Sequence, residues 1–218
     1  MPNVHSPFIT FEGPEGAGKS TQIRLLEERL TAMAIRTVSS REPGGTPLGE
    51  RLRNLLLDPA SGEICPDAEL LLMFAARAEH LERVIRPALE RGCWVLCDRF
   101  TDATYAYQGA GRGIAGSRVG QIEEWVQGPL RPDLVVLLDL PVEVGLTRVK
   151  TRHGSEDRFE RQGGRFLETV REAYLERART ASGRYLVVEA DRPSEVVQAS
   201  IWQAIRRRYA GLLETRRT

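Results

Sequence analysis

Gly13-Pro14-Glu15-Gly16-Ala17-Gly18-Lys19-Ser20 fits the pattern G-x-x-x-x-G-K-[ST], and the apolar run Phe8-Ile9-Thr10-Phe11 leads straight into it. A chain that wraps a phosphate with its N–H groups turned inward needs backbone angles that side chains forbid, which is why the pattern is rich in glycine. Lys19 adds a mobile positive charge, and Ser20 adds a hydroxyl for a nucleotide-bound Mg²⁺. Thr21 opens a helix whose N-terminal dipole also favours an anion. A chance glycine-rich turn would lack this context: an apolar strand before it and the amphipathic run Ile23, Leu25, Leu26, Leu30 after it. Taken alone, the stretch predicts binding of a nucleoside triphosphate and nothing narrower.

Working outward, five short apolar runs alternate with longer helical patterns: Phe8 to Phe11, Arg36 to Ser40, Trp94 to Cys97, Leu134 to Leu138 and Tyr185 to Val188. Such alternation predicts a parallel sheet covered by helices on both faces. The second run is half polar and is expected at an edge. Ligands of these sheets collect at the carboxyl ends of the strands, so the residues after each run carry the chemistry. They are the phosphate loop, then Arg41-Glu42-Pro43-Gly44-Gly45-Thr46-Pro47, Asp98-Arg99-Phe100, Asp139, and Glu189-Ala190-Asp191.

The 218 residues suit one α/β domain with a sizeable core. With 31 basic and 30 acidic residues the net charge is +1, which gives no global field to recruit nucleic acid or an anionic membrane. The N-terminus lacks the features of a secretory signal, and no apolar stretch approaches the roughly 18 residues of a membrane span, so a cytoplasmic protein is expected. Cys93 and Cys97 lie roughly 13 Å apart at strand rise, too far to share a tetrahedral zinc, and read as small buried hydrophobes. The three histidines are scattered, and no chemistry is assigned to them.

Asp98 ends an apolar strand. It serves either as a cap or partner of Arg99, or as the second phosphate-and-metal element that accompanies a phosphate loop; the second role is expected, with Mg²⁺ held by Ser20 and Asp98, through water or directly. Asp139, followed by Pro141, is explained by capping. The helical pattern from Asp67 to Arg91 carries Phe74 and Arg77 three residues apart, so that one can stack on a ligand while the other hydrogen-bonds. Phe74 also reads as ordinary core packing. Arg77 argues for a site, since guanidinium groups are rarely buried without a partner. The cation-rich stretch from Arg148 to Arg161 is either a solvated face or a mobile lid hinged at Gly154 and Ser155, which would bring arginines over a transferring phosphate. Arg206-Arg207-Arg208 reads as the outer face of a helix with Ile201, Trp202 and Ile205 inward.

In combination these residues resemble the bacterial-type thymidylate kinases. The likeness is carried by the phosphate loop with Glu15, Arg41-Glu42-Pro43-Gly44-Gly45-Thr46, Phe74 with Arg77, Asp98-Arg99, Ala106-Tyr107-Gln108-Gly109 followed by Gly111-Arg112-Gly113, and Asp157-Arg158. The resemblance implies a three-layer P-loop NTPase fold, with a five-stranded parallel sheet in the order 2-3-1-4-5. It implies a single domain over residues 1–218 with a lid at about 148–163, and transfer of the γ-phosphoryl group of ATP to thymidine monophosphate (dTMP) for dTTP synthesis. Cofactors and partners follow from it as well: ATP with Mg²⁺, dTMP as the other small-molecule substrate, and a homodimer formed through the long helix from about Phe74 to Arg91.

Carried over by position, Gly13, Pro14, Glu15, Gly16, Ala17, Gly18, Lys19, Ser20 and Thr21 would hold ATP. Glu42, Arg53, Phe74, Arg77, Arg99, Thr104, Tyr107 and Gln108 would hold the acceptor. Phe74 would stack on thymine, Arg77 would donate to its O4 edge, Thr104 would lie near N3, and Tyr107 would pack where a 2′-hydroxyl would sit. Arg53 and Arg99 would hold the phosphate. Lys19, Asp98, Arg99, Arg152 and Arg158 would act on the transferring group, with Arg148 behind the two lid arginines, because position 15 is Glu and not a cation. Ala190-Asp191-Arg192-Pro193 would wall the adenine side. The rivals are a P-loop kinase with another acceptor and an acceptor-independent ATPase; the chain has neither Asn-Lys-x-Asp nor an Asp-x-x-Gly switch.

Overall fold

In a computed structural model, residues 6–151 and 158–214 are described. The chain runs β1 (Phe8–Glu12), α1 (Lys19–Ala32), β2 (Thr37–Arg41), α2 (Pro47–Leu57), α3 (Pro66–His80), α4 (Arg86–Glu90), β3 (Trp94–Asp98), α5 (Thr101–Thr104), α6 (Gly116–Gln127), β4 (Leu134–Asp139), α7 (Val142–Lys150), α8 (Gly164–Thr180), β5 (Tyr185–Glu189), α9 (Ser194–Arg208) and α10 (Ala210–Glu214). The five strands form one parallel sheet in the order β2-β3-β1-β4-β5. The polar second run is at an edge, as its composition requires.

Strands covered on both faces read as nearly continuous apolar runs, and β1, β3 and β4 do, with Thr10 the exception ahead of their closing carboxylates. Ile9, Phe11, Leu96, Val136 and Leu138 meet Ile23, Leu26 and Leu30 of α1 and Ile201 and Ile205 of α9 on one face. Phe8, Val95 and Cys97 meet Leu81, Ile85, Ala88 and Phe100 on the other, where Leu137 also packs against Val170 and Tyr174 of α8. Four of the strands run one residue further than their apolar pattern and end in a carboxylate, Glu12, Asp98, Asp139 or Glu189, while β2 ends in Arg41. Charge therefore gathers along one edge of the sheet.

The long pattern from Asp67 to Arg91 is α3 and α4 joined by a π-helical turn at Leu81–Ile85. Pro87 explains the widening, since it has no N–H to offer the carbonyl of Arg83. Cys93 and Cys97 are buried and free, as expected, and Cys65 is exposed. Asp139 does not cap α7. Its carboxylate is taken by a two-pronged ion pair from Arg171 of α8, at 2.7 and 3.0 Å, which fastens α8 to the end of β4. Arg206, Arg207 and Arg208 lie on the exposed side of α9, opposite Ile201 and Ile205.

Candidate active site

The phosphate loop bridges β1 and α1 at the carboxyl edge of the sheet. Its glycines are required by contact as well as by conformation. A Cβ on Gly13 would sit 2.3 Å from the carbonyl oxygen of Leu138, and one on Gly16 would sit 2.4 Å from that of Gly145. Lys19 is buried, and its ammonium donates to the loop's own carbonyls at Gly13 (3.2 Å) and Pro14 (3.0 Å). Burial, with Arg99 nearby, lowers its pKa. Ser20 Oγ donates to Asp98 Oδ2 at 2.8 Å, so the hydroxyl and the strand-end acid predicted to share a cation are neighbours. Both are hard oxygen ligands of the kind Mg²⁺ takes, and so few protein ligands leave room for phosphate oxygens and water. Among the described residues there is no cluster of three or more His, Cys, Asp or Glu that would bind a metal without a nucleotide.

A cleft of about 340 Å³ opens beside the loop. Arg41, Arg53 and Arg99 converge on it. Arg99 occupies the left-handed region, with φ of 67°, a conformation that costs a residue with a Cβ roughly 1–2 kcal/mol. Its guanidinium donates to Glu15 (2.6 Å), the Gly13 carbonyl (3.0 Å), Tyr174 (3.0 Å) and Tyr107 (3.1 Å), so four partners fix one orientation. Burial alone would raise the Glu15 carboxyl, but Arg99 and Lys19 hold it down at about 2. Burial first, and then the neighbouring Arg41 and Arg99, lower the pKa of Arg53, with Glu50 and Glu15 opposing them. Arg41, which pairs at 2.8 Å with Glu50, lines the cleft; the sequence marked it as a strand-end charge but gave it no substrate contact. Its position at the end of β2 was the available signal.

Deeper in the cleft Arg77 is buried. Its Nε donates to Glu42 at 2.7 Å and its Nη2 to Thr104 at 2.9 Å, whereas Nη1 is buried without a partner among the described residues. Phe74 does not line the cleft. It packs in a core cluster with Leu70, Ile114 and Val119, and the Arg77 guanidinium rests 4.7 Å from its ring centroid. Met73 lines the cleft instead. Along a helix Met73 lies about 40° to one side of Arg77 and Phe74 about 60° to the other, so these neighbours point about 100° apart and take different surroundings.

Thr104, Tyr107 and Gln108 line the cleft as expected. Gln108 donates to Glu69 at 2.8 Å, and Glu69, fully buried on α3, also takes Arg158 Nη2 at 2.6 Å and Arg112 at 3.3 Å. Arg158 is therefore not brought to the cleft. Its Nε donates to the Leu56 carbonyl at 2.7 Å, and releasing its guanidinium would break that bond and the shortest one on the Glu69 carboxylate, leaving Gln108 and Arg112 to hold it. Its neighbour Phe159 does line the cleft. Arg152 and Asp157 lie outside the described residues. Arg148 donates to the carbonyls of Gly16 (3.4 Å) and Ala190 (3.1 Å), which joins the phosphate loop to the segment expected beside adenine.

A profile of the family described as thymidylate kinase matches residues 11–201. The chain is 60% identical over 194 residues to a thymidylate kinase of Ectopseudomonas mendocina, covering 89% of this chain and 92% of that one. It is 59% identical over the same shares to a thymidylate kinase of Pseudomonas fluorescens. Among solved structures, the thymidylate kinase of Ehrlichia chaffeensis superposes with a TM-score of 0.76 at 32% identity, over 93% of this chain and 99% of that one.

Proposed function

The chain belongs to the thymidylate kinase family, and from that premise we propose how its residues divide the transfer of the γ-phosphoryl group of ATP to dTMP. The products are dTDP and ADP, on the route to dTTP. Gly13 to Thr21 hold the triphosphate of ATP through backbone N–H groups and the start of α1, and Lys19 leaves the Gly13 and Pro14 carbonyls to meet its oxygens. Ser20 and Asp98 hold Mg²⁺ brought by the nucleotide, which when bound neutralises charge on the phosphate oxygens.

Arg53 and Arg99, with Arg41 beside them, bind the acceptor phosphate. Arg77 donates to a base carbonyl. The supporting observation is its buried Nη1, which has no partner among the described residues while Nε is held by Glu42 and Nη2 by Thr104. A carbonyl there selects thymine or uracil over cytosine. Thr104 and Gln108 complete the nucleoside pocket, and Tyr107, tied to Arg99, packs against the sugar. Met73 supplies the apolar surface against the base face. The segment at about 148–163 acts as the lid of a single domain, and Arg152 is its cation over the transferring group. The enzyme works in the cytoplasm as a homodimer paired through α3, whose outer side carries exposed Leu71.

The test is ADP release with Mg·ATP and, in turn, thymidine, deoxyuridine, deoxycytidine and adenosine monophosphates, free thymidine, or no acceptor. Preference for dTMP supports the pocket. Because the 5-methyl group is worth only about 1–3 kcal/mol, weaker turnover of the deoxyuridine analogue is expected. A preference for deoxycytidine monophosphate would remove Arg77 from base recognition.

A further inference from the structure

His80 closes a buried chain of polar groups that ends at the base pocket. Its ring is fully buried at the last turn of α3, one turn after Arg77. Nδ1 donates to Glu42 Oε1 at 3.0 Å, while Glu42 Oε2 takes Arg77 Nε at 2.7 Å. On its other side Nε2 shares a 2.7 Å hydrogen bond with Ser40 Oγ of β2. The ring also fits against Gly45, where a Cβ would come within 2.7 Å of it. Thus edge strand, Arg41–Thr46 loop and α3 meet at one imidazole.

The partner sets the direction of the bond: an ionised carboxylate has no hydrogen to give, so Nδ1 is the donor toward Glu42. Burial alone would raise Glu42, but Arg77 and the His80 N–H together lower it, so the carboxylate is the charge that both groups hold. Without the His80 bond, one Glu42 oxygen would have no donor, and the carboxylate would be free to turn toward Arg77 or its surroundings. Such a turn moves the guanidinium, whose Nη1 has no partner among the described residues.

We propose that His80 is a positioning residue for acceptor recognition, holding Glu42 so that Arg77 presents Nη1 to the base. This rests on the reading of Arg77 given above. It goes further in giving a role in selectivity to a residue that does not line the cleft.

Steady-state kinetics of His80→Leu, His80→Asn, Ser40→Ala and Arg77→Ala test it side by side. Leu keeps the volume and lacks a donor, whereas the Asn amide can reach the place of Nδ1. His80→Leu should raise KM for dTMP by roughly tenfold, the scale of one lost charge-assisted hydrogen bond, and leave KM for ATP within about twofold. Preference for dTMP over deoxycytidine monophosphate should narrow by a similar factor. His80→Asn should recover most of both losses, and Ser40→Ala should shift them in the same direction by a smaller factor, which keeps the proposal testable if the Leu variant does not fold. A purely structural histidine would change melting temperature and both KM values together, and that result overturns the proposal, as does an Asn variant no better than Leu. If Arg77→Ala changes the dTMP KM and the His80 variants do not, the relay is wrong and the base reading stands. If Arg77→Ala changes nothing, the base reading itself is wrong.

Discussion

On the donor side of the cleft the groups that face a ligand are backbone amides of the Gly13–Thr21 loop and a lysine folded onto that loop's own carbonyls. On the acceptor side they are buried side chains already locked to one another: Arg77 on Glu42 and Thr104, Gln108 on Glu69, Arg99 on Glu15 and two tyrosines. The difference follows from the task. A triphosphate is recognised by charge and by N–H groups, which any P-loop protein supplies, and its cations must move to it. A base must be told from other bases, which requires donors fixed before the ligand arrives. The donor half is general and adjustable; the acceptor half is particular and rigid.

The largest effect should come from the movable half. Lys19→Ala removes a cation from the transferring phosphate and breaks only two hydrogen bonds to backbone carbonyls. Turnover should fall by about a thousandfold, some 4 kcal/mol of barrier, with folding retained by circular dichroism. Near-normal turnover would mean that the donor side does not rely on this charge.

The two halves are also rooted in opposite carboxyl groups. Glu12 and Glu42 are both buried, yet Glu42 is held ionised by Arg77 and His80, while burial and the nearby Asp102 push Glu12 up to about 8. Its hydrogen-bond donors, the Phe100 N–H and the Tyr174 hydroxyl, are uncharged. A raised carboxyl binds its proton in the folded state between the ordinary value of about 4.5 and about 8, so stability is full below that window and falls as pH rises through it. Denaturant titrations should show a loss of about 3 kcal/mol from pH 5 to pH 8, and Glu12→Gln should flatten it. An unchanged slope in the variant would place the titrating group elsewhere.

Arg77→Ala tests the rigidity of the acceptor half. It should raise KM for dTMP roughly thirtyfold, about 2 kcal/mol, and leave KM for ATP nearly unchanged. Since the substitution also strands the Glu42 carboxylate, the double variant with Glu42→Gln should recover stability without recovering dTMP affinity. Equal changes in both KM values would dissolve the distinction between the halves.

How much of this was legible in the sequence also differs between the halves. The phosphate loop and the strand-end place of Asp98 could be read from the chain because they depend on local backbone geometry, which spacing records, whereas the strand order came from the family resemblance. Arg158 could not. Its place in the lid segment suggested a mobile cation, but Glu69, 89 residues earlier, holds it in a buried ion pair. His80 was likewise silent, because its partners Ser40 and Glu42 come from another strand and loop. Pairings across the fold leave no periodic trace.

The adjacent residues Met73 and Phe74 give the finest version of the comparison. One helix turns the first into the cleft and the second into the core beside Leu70 and Val119. Phe74 is nearly inaccessible and also supports the Arg77 guanidinium, so Phe74→Leu should cost about 1–1.5 kcal/mol of stability and change KM little. Met73 is only partly buried, and its thioether meets the ligand side. Met73→Ala should leave the melting temperature within a few degrees and raise KM for dTMP about fivefold, near 1 kcal/mol. If the effects exchange places, with Phe74→Leu weakening dTMP and Met73→Ala destabilising the fold, then α3 turns in the bound enzyme and the acceptor half is not rigid. If they fall as stated, one residue of helical phase separates packing from recognition.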